Sequence, residues 1–235
     1  MARRIDIPFG IWVCVLTLAF GLAHAQTARA QATPAGKAAL VAIEQVRAKQ
    51  QIVSELAGMG AVDRLMRDRF LALRRTATDA ERADLDDVWR EHYRPIDQQH
   101  TARLKALLGD GPWFRRSEVG PRAEAAADLI VSHSNDDTFQ KLVLSKMQPL
   151  VGAETPRGYA TLFDRVAVQE GRPQRFGTQR PTCEGERHAR PEDIEDPESL
   201  DKRRREIGLP PMTEYLAELD KIYGACTPPP PRGGE

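Results

Sequence analysis

His133 is the side chain best suited to moving a proton in this chain of 235 residues. Imidazole ordinarily titrates near neutrality, and Asp136 follows three positions later, where a carboxylate could orient the ring. Asp164 is a second carboxylate for that role. It adjoins Arg165, whose planar guanidinium can clamp a carboxylate or phosphate with two parallel hydrogen bonds. On a helix these two neighbours point about 100° apart, so each must find its own partner. Gln174, Thr178 and Gln179 share an aperiodic stretch with Gly171 and Gly177, and amide side chains both donate and accept hydrogen bonds, as sugars and peptides require. Arg203 and Arg204 belong to a basic run that starts at Lys202, with Glu195, Asp196, Glu198, Asp201 and Glu206 around it.

The candidate catalytic set is therefore His133, Asp136 and Asp164, and the candidate ligand-binding set is Arg165, Gln174, Thr178, Gln179, Arg203 and Arg204. Each has a purely structural counterpart. A histidine closing a helix can satisfy the last carbonyls and is favoured by the helix dipole. Asp164 and Arg165 suit a buried charged network, and the loop amides can bond to their own loop. No metal and no cofactor is expected. His92 and His100 stand eight positions apart with Pro95 between them, and no HExxH, phosphate-binding loop, dinucleotide fingerprint or G-x-S-x-G elbow occurs.

These residues lie on a chain that reads as mainly α, a helical bundle-like domain with a long irregular loop and at most short β-strands. Apolar residues recur at helical spacing from Lys37 to Ala57, where Gly58-Met59-Gly60 is read as a stop. Val62, Leu65, Met66, Phe70 and Leu73 mark a second helix. Thr78 with Glu81 forms a capping-box signal for a third. Pro95 should break or kink that helix, and Gly109 to Pro112 should end its continuation. Helices are then expected from Pro121 to His133, Asp137 to Leu150 and Pro156 to Gln169. Residues 171–197 have no period, with only weak strands possible in 174–185. Helices return at 198–207 and 213–223.

The N-terminus reads as an export signal. Arg3 and Arg4 precede a short apolar run from Ile11 to Ala23, and Ala23-His24-Ala25 offers small residues where a signal peptidase cuts. Cleavage is expected after Ala25, with Ala28-Arg29-Ala30 as a second point. The run is shorter than the roughly 20 residues that span a bilayer, so no stable transmembrane segment should remain after cleavage. The organisation expected is signal peptide 1–25, flexible leader 26–36, N-terminal helical region 37–108, C-terminal helical domain 109–225 and a Pro/Gly-rich tail 226–235. The mature protein would be periplasmic or secreted.

Charge and cysteines fit that placement. The 34 basic and 34 acidic residues balance, and nucleic acid is an unexpected partner for a chain without a basic excess. Of the three cysteines, Cys14 lies in the signal. Cys183 and Cys226 remain, and a disulfide between them would persist in an oxidising compartment. The alternative is two free thiols.

From Asp97 to Tyr223 the sequence resembles a bacterial family known only as a domain of unknown function. The segments that carry the likeness include Ser132-His133-Ser134-Asn135-Asp136, Leu162-Phe163-Asp164-Arg165-Val166 and Gly171-Arg172-Pro173-Gln174-Arg175-Phe176-Gly177-Thr178-Gln179. Ser132 stands where that family usually has glutamine, and Pro112-Trp113 reverses its Trp-Pro order. The resemblance implies relatedness and brings no chemistry with it. Two functions are compatible with these residues: a binding or structural module of the bacterial envelope, with a small molecule or envelope component as partner, or a small periplasmic hydrolase with a His/Asp/Arg site.

Overall fold

The computed structural model describes residues 33–151, 154 and 156–226. The segment expected to be an export signal, most of the expected leader and the tail beyond Cys226 lie outside the described residues. Two compact units divide the chain between Gln51 and Ile52. The described part of the first is helical and includes the start of helix α1 (Pro34–Thr76). Everything below concerns the second unit.

Within that unit α1 runs straight through Gly58 and Gly60, where the sequence suggested a stop. Glycine inside a helix costs about 1 kcal/mol relative to alanine. At Gly60 the cost is offset by contact, because a Cβ there would collide with the Cβ of Ala126 on a facing helix. The buried stripe of α1 is Leu56, Gly60, Asp63 and Phe70. The face suggested by Val62, Leu65 and Leu73 is exposed instead. The spacing of those residues is helical, but two faces of α1 carry apolar residues and only one meets the core.

Thr78 opens α2 (Asp79–Val88) with a complete capping box, its backbone donating to the Glu81 carboxylate at 2.7 Å. Pro95 then acts on the turn before it. Residues Trp89–Tyr93 form a π-turn, and α3 (Arg94–Leu108) begins with Pro95 in its first turn. Proline lacks the N–H that a continuous helix would need there, and the wider turn absorbs the mismatch. The short α4 (Arg116–Val119) leads to α5 (Pro121–His133). Asp136 caps α6 (Asp137–Met147), accepting from the Phe139 amide at 2.8 Å. A turn of 3₁₀ helix, Gln148–Leu150, precedes α7 (Pro156–Gln169).

The main core gathers Leu56 of α1, Leu104 and Leu108 of α3, Trp113, Ala127 and Ile130 of α5, Phe139, Val143 and Met147 of α6, and Leu162 of α7. Trp113 is wholly buried there and donates its indole N–H to Asp128 at 3.1 Å. Past α7 the chain forms a two-stranded antiparallel hairpin, β1 (Thr182–Glu184) and β2 (Arg187–Ala189). Helices α8 (Leu200–Glu206) and α9 (Met212–Tyr223) complete the described fold. Cys183 on β1 is disulfide-bonded to Cys226 beyond α9, with their Cα atoms 5.6 Å apart. Among the described residues no helix is long and apolar enough to cross a membrane.

Candidate functional site

The sequence-selected residues separate into two polar centres. The first is built around Asp164, which is wholly buried on α7. Its Oδ1 accepts from the amides of Arg175 at 2.8 Å and Phe176 at 3.0 Å, and its Oδ2 accepts from the Thr178 amide at 2.8 Å and hydroxyl at 2.9 Å. Burial pushes this carboxyl up, and those hydrogen bonds oppose the rise. Gly177 makes the tight turn possible, with a positive φ of 68° and Met212 and Ile194 packed where a side chain would go.

The rest of the loop closes on itself in the same way. Gln174 donates to the Gln179 carbonyl at 2.9 Å and accepts from its amide at 2.8 Å. Gln179 donates to the Thr161 carbonyl at 3.3 Å. Arg203 donates to the carbonyls of Arg175, Asp196 and Glu195. Arg204 donates to those of Phe176 and Pro210, at 2.5 and 2.7 Å, and lies over the Tyr215 ring. In this geometry Asp164, Gln174, Thr178, Gln179, Arg203 and Arg204 spend their hydrogen bonds on holding residues 171–197 against the helices.

The second centre surrounds His133 at the end of α5. Its Nδ1 lies 3.0 and 3.1 Å from the two carboxylate oxygens of Asp63 and 2.8 Å from Nε of Arg67. Both partners come from α1, one turn apart. Arg67 also bonds through Nη2 to Asp97 of α3 at 2.9 Å, and its guanidinium lies 4.7 Å from the centroid of the Trp89 ring. Asp63 is 1% exposed. Burial pushes its carboxyl up, but His133 and Arg67 together outweigh that and hold it below its ordinary value. Nδ1 donates to Asp63 in one ring tautomer and accepts from the Arg67 Nε–H in the other. Nε2 has no hydrogen-bond partner among the described residues.

His100 stands nearby on α3. Its Nδ1 is buried without a partner among the described residues, and burial lowers its pKa against the raising influence of Asp63 and Asp97. The buried Nε of Arg165 is likewise unpartnered. Asp136 is not part of this centre. It caps α6 and pairs with Lys105, which hold its carboxyl below the ordinary value.

Two clefts flank the second centre. One, of about 400 Å³, is lined by Arg67, Phe70, Arg74, Trp89 and Tyr223 among others. The other, of about 260 Å³, is lined by Asp97, Thr101, Lys105, Ser134 and Asn135 among others. Arg67 belongs to the first and Asp97 to the second, and these two are bonded to each other. The π-turn shapes the first cleft by stacking Trp89 on Tyr93, with ring centroids 4.8 Å apart. Among the described residues no group of three or more His, Cys, Asp or Glu is placed to hold a metal ion.

Asp63, Arg67, Asp97 and Trp89 were not singled out from the sequence. A signal was there: Leu56, Gly60, Asp63, Arg67 and Phe70 fall at alternating steps of four and three residues, one helical stripe that includes two charges. Charges inside an otherwise apolar stripe mark a buried pair.

Residues 51–227 match the model of a family of unknown function (DUF6624). The chain belongs to this family. The match begins at Gln51, one residue before the second compact unit, so both polar centres and both clefts lie inside the DUF6624 domain. Neither a curated protein nor a solved structure matches the chain.

Proposed function

We propose that this DUF6624 protein is an exported component of the bacterial envelope whose domain acts as a binding module for a small molecule or envelope fragment. The observation that carries the reading is the Arg67–Asp97 bond, which forms a shared wall between two clefts. A ligand entering either cleft meets a charged pair held in place by Asp63, His133 and Trp89. Export is supported by the signal-like N-terminus and by the disulfide, a bond that persists in oxidising compartments.

The test has two parts. The full chain expressed in a Gram-negative host should be recovered from the periplasm with a mass corresponding to cleavage after Ala25. Peptidoglycan fragments and short anionic sugars should then shift amide resonances around Arg67 and Trp89, and Arg67→Ala should remove those shifts. Cytoplasmic retention counts against the export reading. Shifts that survive in Arg67→Ala count against the binding reading.

A hydrolase reading is favoured by one observation, the 3.0 Å contact of His133 Nδ1 with Asp63. In the tautomer whose Nδ1–H donates to Asp63, it supplies an oriented imidazole with Nε2 available as general base. Hydrolysis of an envelope-type ester or amide that is lost in His133→Gln, with folding intact, would establish it.

A further inference from the structure

Among the described residues no ion pair reaches the Arg165 cation. Its side chain is half-buried on α7, and its Nε is buried without a hydrogen-bond partner among them. Removing a guanidinium N–H from water without an acceptor is costly, and the usual remedy is a carboxylate from the protein. Here none takes that place. Burial lowers its affinity for its proton first, and the like charge of Arg67 adds to that, with no carboxylate acting in the opposite direction.

The helix geometry says where Arg165 faces. Arg165 and Gln169 are one turn apart on the same side of α7. Gln169 donates to the Gln140 side chain at 2.9 Å, and Gln140 in turn donates to the carbonyls of Val131 and Ser134, on either side of His133. That side of α7 therefore meets the end of α5, where His133 contacts Asp63 and Arg67.

We propose that Arg165 is the receiving arm of an oxyanion site beside His133, for the carboxylate or phosphoryl group of the bound molecule. This rests on the binding reading above and names the chemical group that the ligand presents. The unpaired Nε–H and its neighbouring Nη–H form a fork that matches two oxygens of one anion. Arg67 cannot serve in its place, because its Nε and Nη2 are already engaged with Asp63, His133 and Asp97.

The experiment follows the Arg165 Nε–Hε cross-peak of the full chain, identified by its absence in Arg165→Gln, during titration with inorganic phosphate and separately with acetate. Sodium chloride at matched ionic strength is the blank. The expected result is a saturable shift of that peak with at least one oxyanion, and binding weakened about tenfold or more in Arg165→Gln. Arg165→Lys keeps the charge but loses the fork, so it should bind with intermediate affinity. It also serves if the glutamine variant does not fold. Saturation by phosphate alone assigns a phosphoryl group, and saturation by acetate alone a carboxylate. No saturable shift with either anion, or equal affinity in Arg165→Lys and wild type, overturns the proposal. If it fails while envelope fragments still shift Arg67 and Trp89, the binding reading stands and only the oxyanion assignment falls.

Discussion

Asp63 on α1 and His133 on α5 meet at 3.0 Å, joining residues 70 positions apart in a site where the carboxylate is 1% exposed. An acid this deep in a helical unit survives as an anion only because His133 and Arg67 stabilise its charge. The contact thus ties the two helices together as well as orienting an imidazole.

Removing one member of a buried charged set leaves the others uncompensated. Asp63→Ala should lose about 3 kcal/mol of stability at pH 7, read from the urea midpoint. The pH profile gives a finer check with Asp63→Asn. The folded pKa of Asp63 lies below its ordinary 3.8, so the folded state binds fewer protons than the unfolded state in that window. Its contribution is present above pH 3.8 and is lost as pH falls through the lower folded value. Wild type should therefore lose its advantage over Asp63→Asn on acidification through that range. A constant difference from pH 7 to pH 2 would show that Asp63 carries no such linkage.

Asp128 should behave in the opposite way. Burial, with the like charge of Glu124 next, pushes its carboxyl up to about 8. Between 3.8 and about 8 the folded protein keeps a proton that the unfolded chain has released, so stability falls as pH rises through that window. Asn has the same shape, cannot ionise and still accepts from the Trp113 indole. Asp128→Asn should melt higher than wild type at pH 9, with the difference shrinking towards pH 5. Parallel melting curves across that range would contradict the assignment.

Gly60 and Gly58 make a matched pair. A Cβ at Gly60 runs into Ala126, whereas nothing lies within 4 Å of one at Gly58. Gly60→Val should cost about 2 kcal/mol through overpacking. Gly58→Ala should stabilise the helix by up to about 1 kcal/mol. Chemical denaturation of both variants decides the matter, and equal effects would mean that α1 does not approach α5 as closely as described.

The disulfide holds the hairpin against the end of α9, helped by His188, which donates its amide to Asp220 at 2.8 Å. It joins residues 43 apart in sequence. On the chain-entropy model a closure of that size is worth about 4 kcal/mol. Reduction should lower the melting temperature accordingly, and intact mass should show two alkyl groups added only after reduction. Tyr223, three residues before Cys226, lines the larger cleft. Reduced protein should also bind more weakly there, measured by titration of whichever ligand shifts Trp89.

Much of this architecture is legible from local pattern. The Thr78–Glu81 capping box, the stop at Gly109, the helices from Pro121, Asp137 and Pro156, and the pairing of Cys183 with Cys226 all follow from residue types at short spacing or from counting, and each is present. The glycine stop at residue 58 is absent, because a helix interrupter yields when a neighbour needs its lack of a side chain. The apolar face assigned to Val62, Leu65 and Leu73 is exposed for a related reason. Periodicity shows that a helix has a stripe, but burial depends on which stripe another helix covers.

The same division holds for chemistry. The sequence by itself determined the fold class, most of the helical segments, the one cysteine pair available for a disulfide, and the residue types at hand: an imidazole at the end of α5, an Asp-Arg step on α7 and a Gly-Thr-Gln loop. Only the tertiary structure decided their partners. Asp164 turned to loop amides eleven to fourteen residues ahead, while His133 found Asp63, 70 residues earlier in the chain. Partnership between charged groups is set by distances of a few ångströms after packing, and chain separation carries no record of those distances.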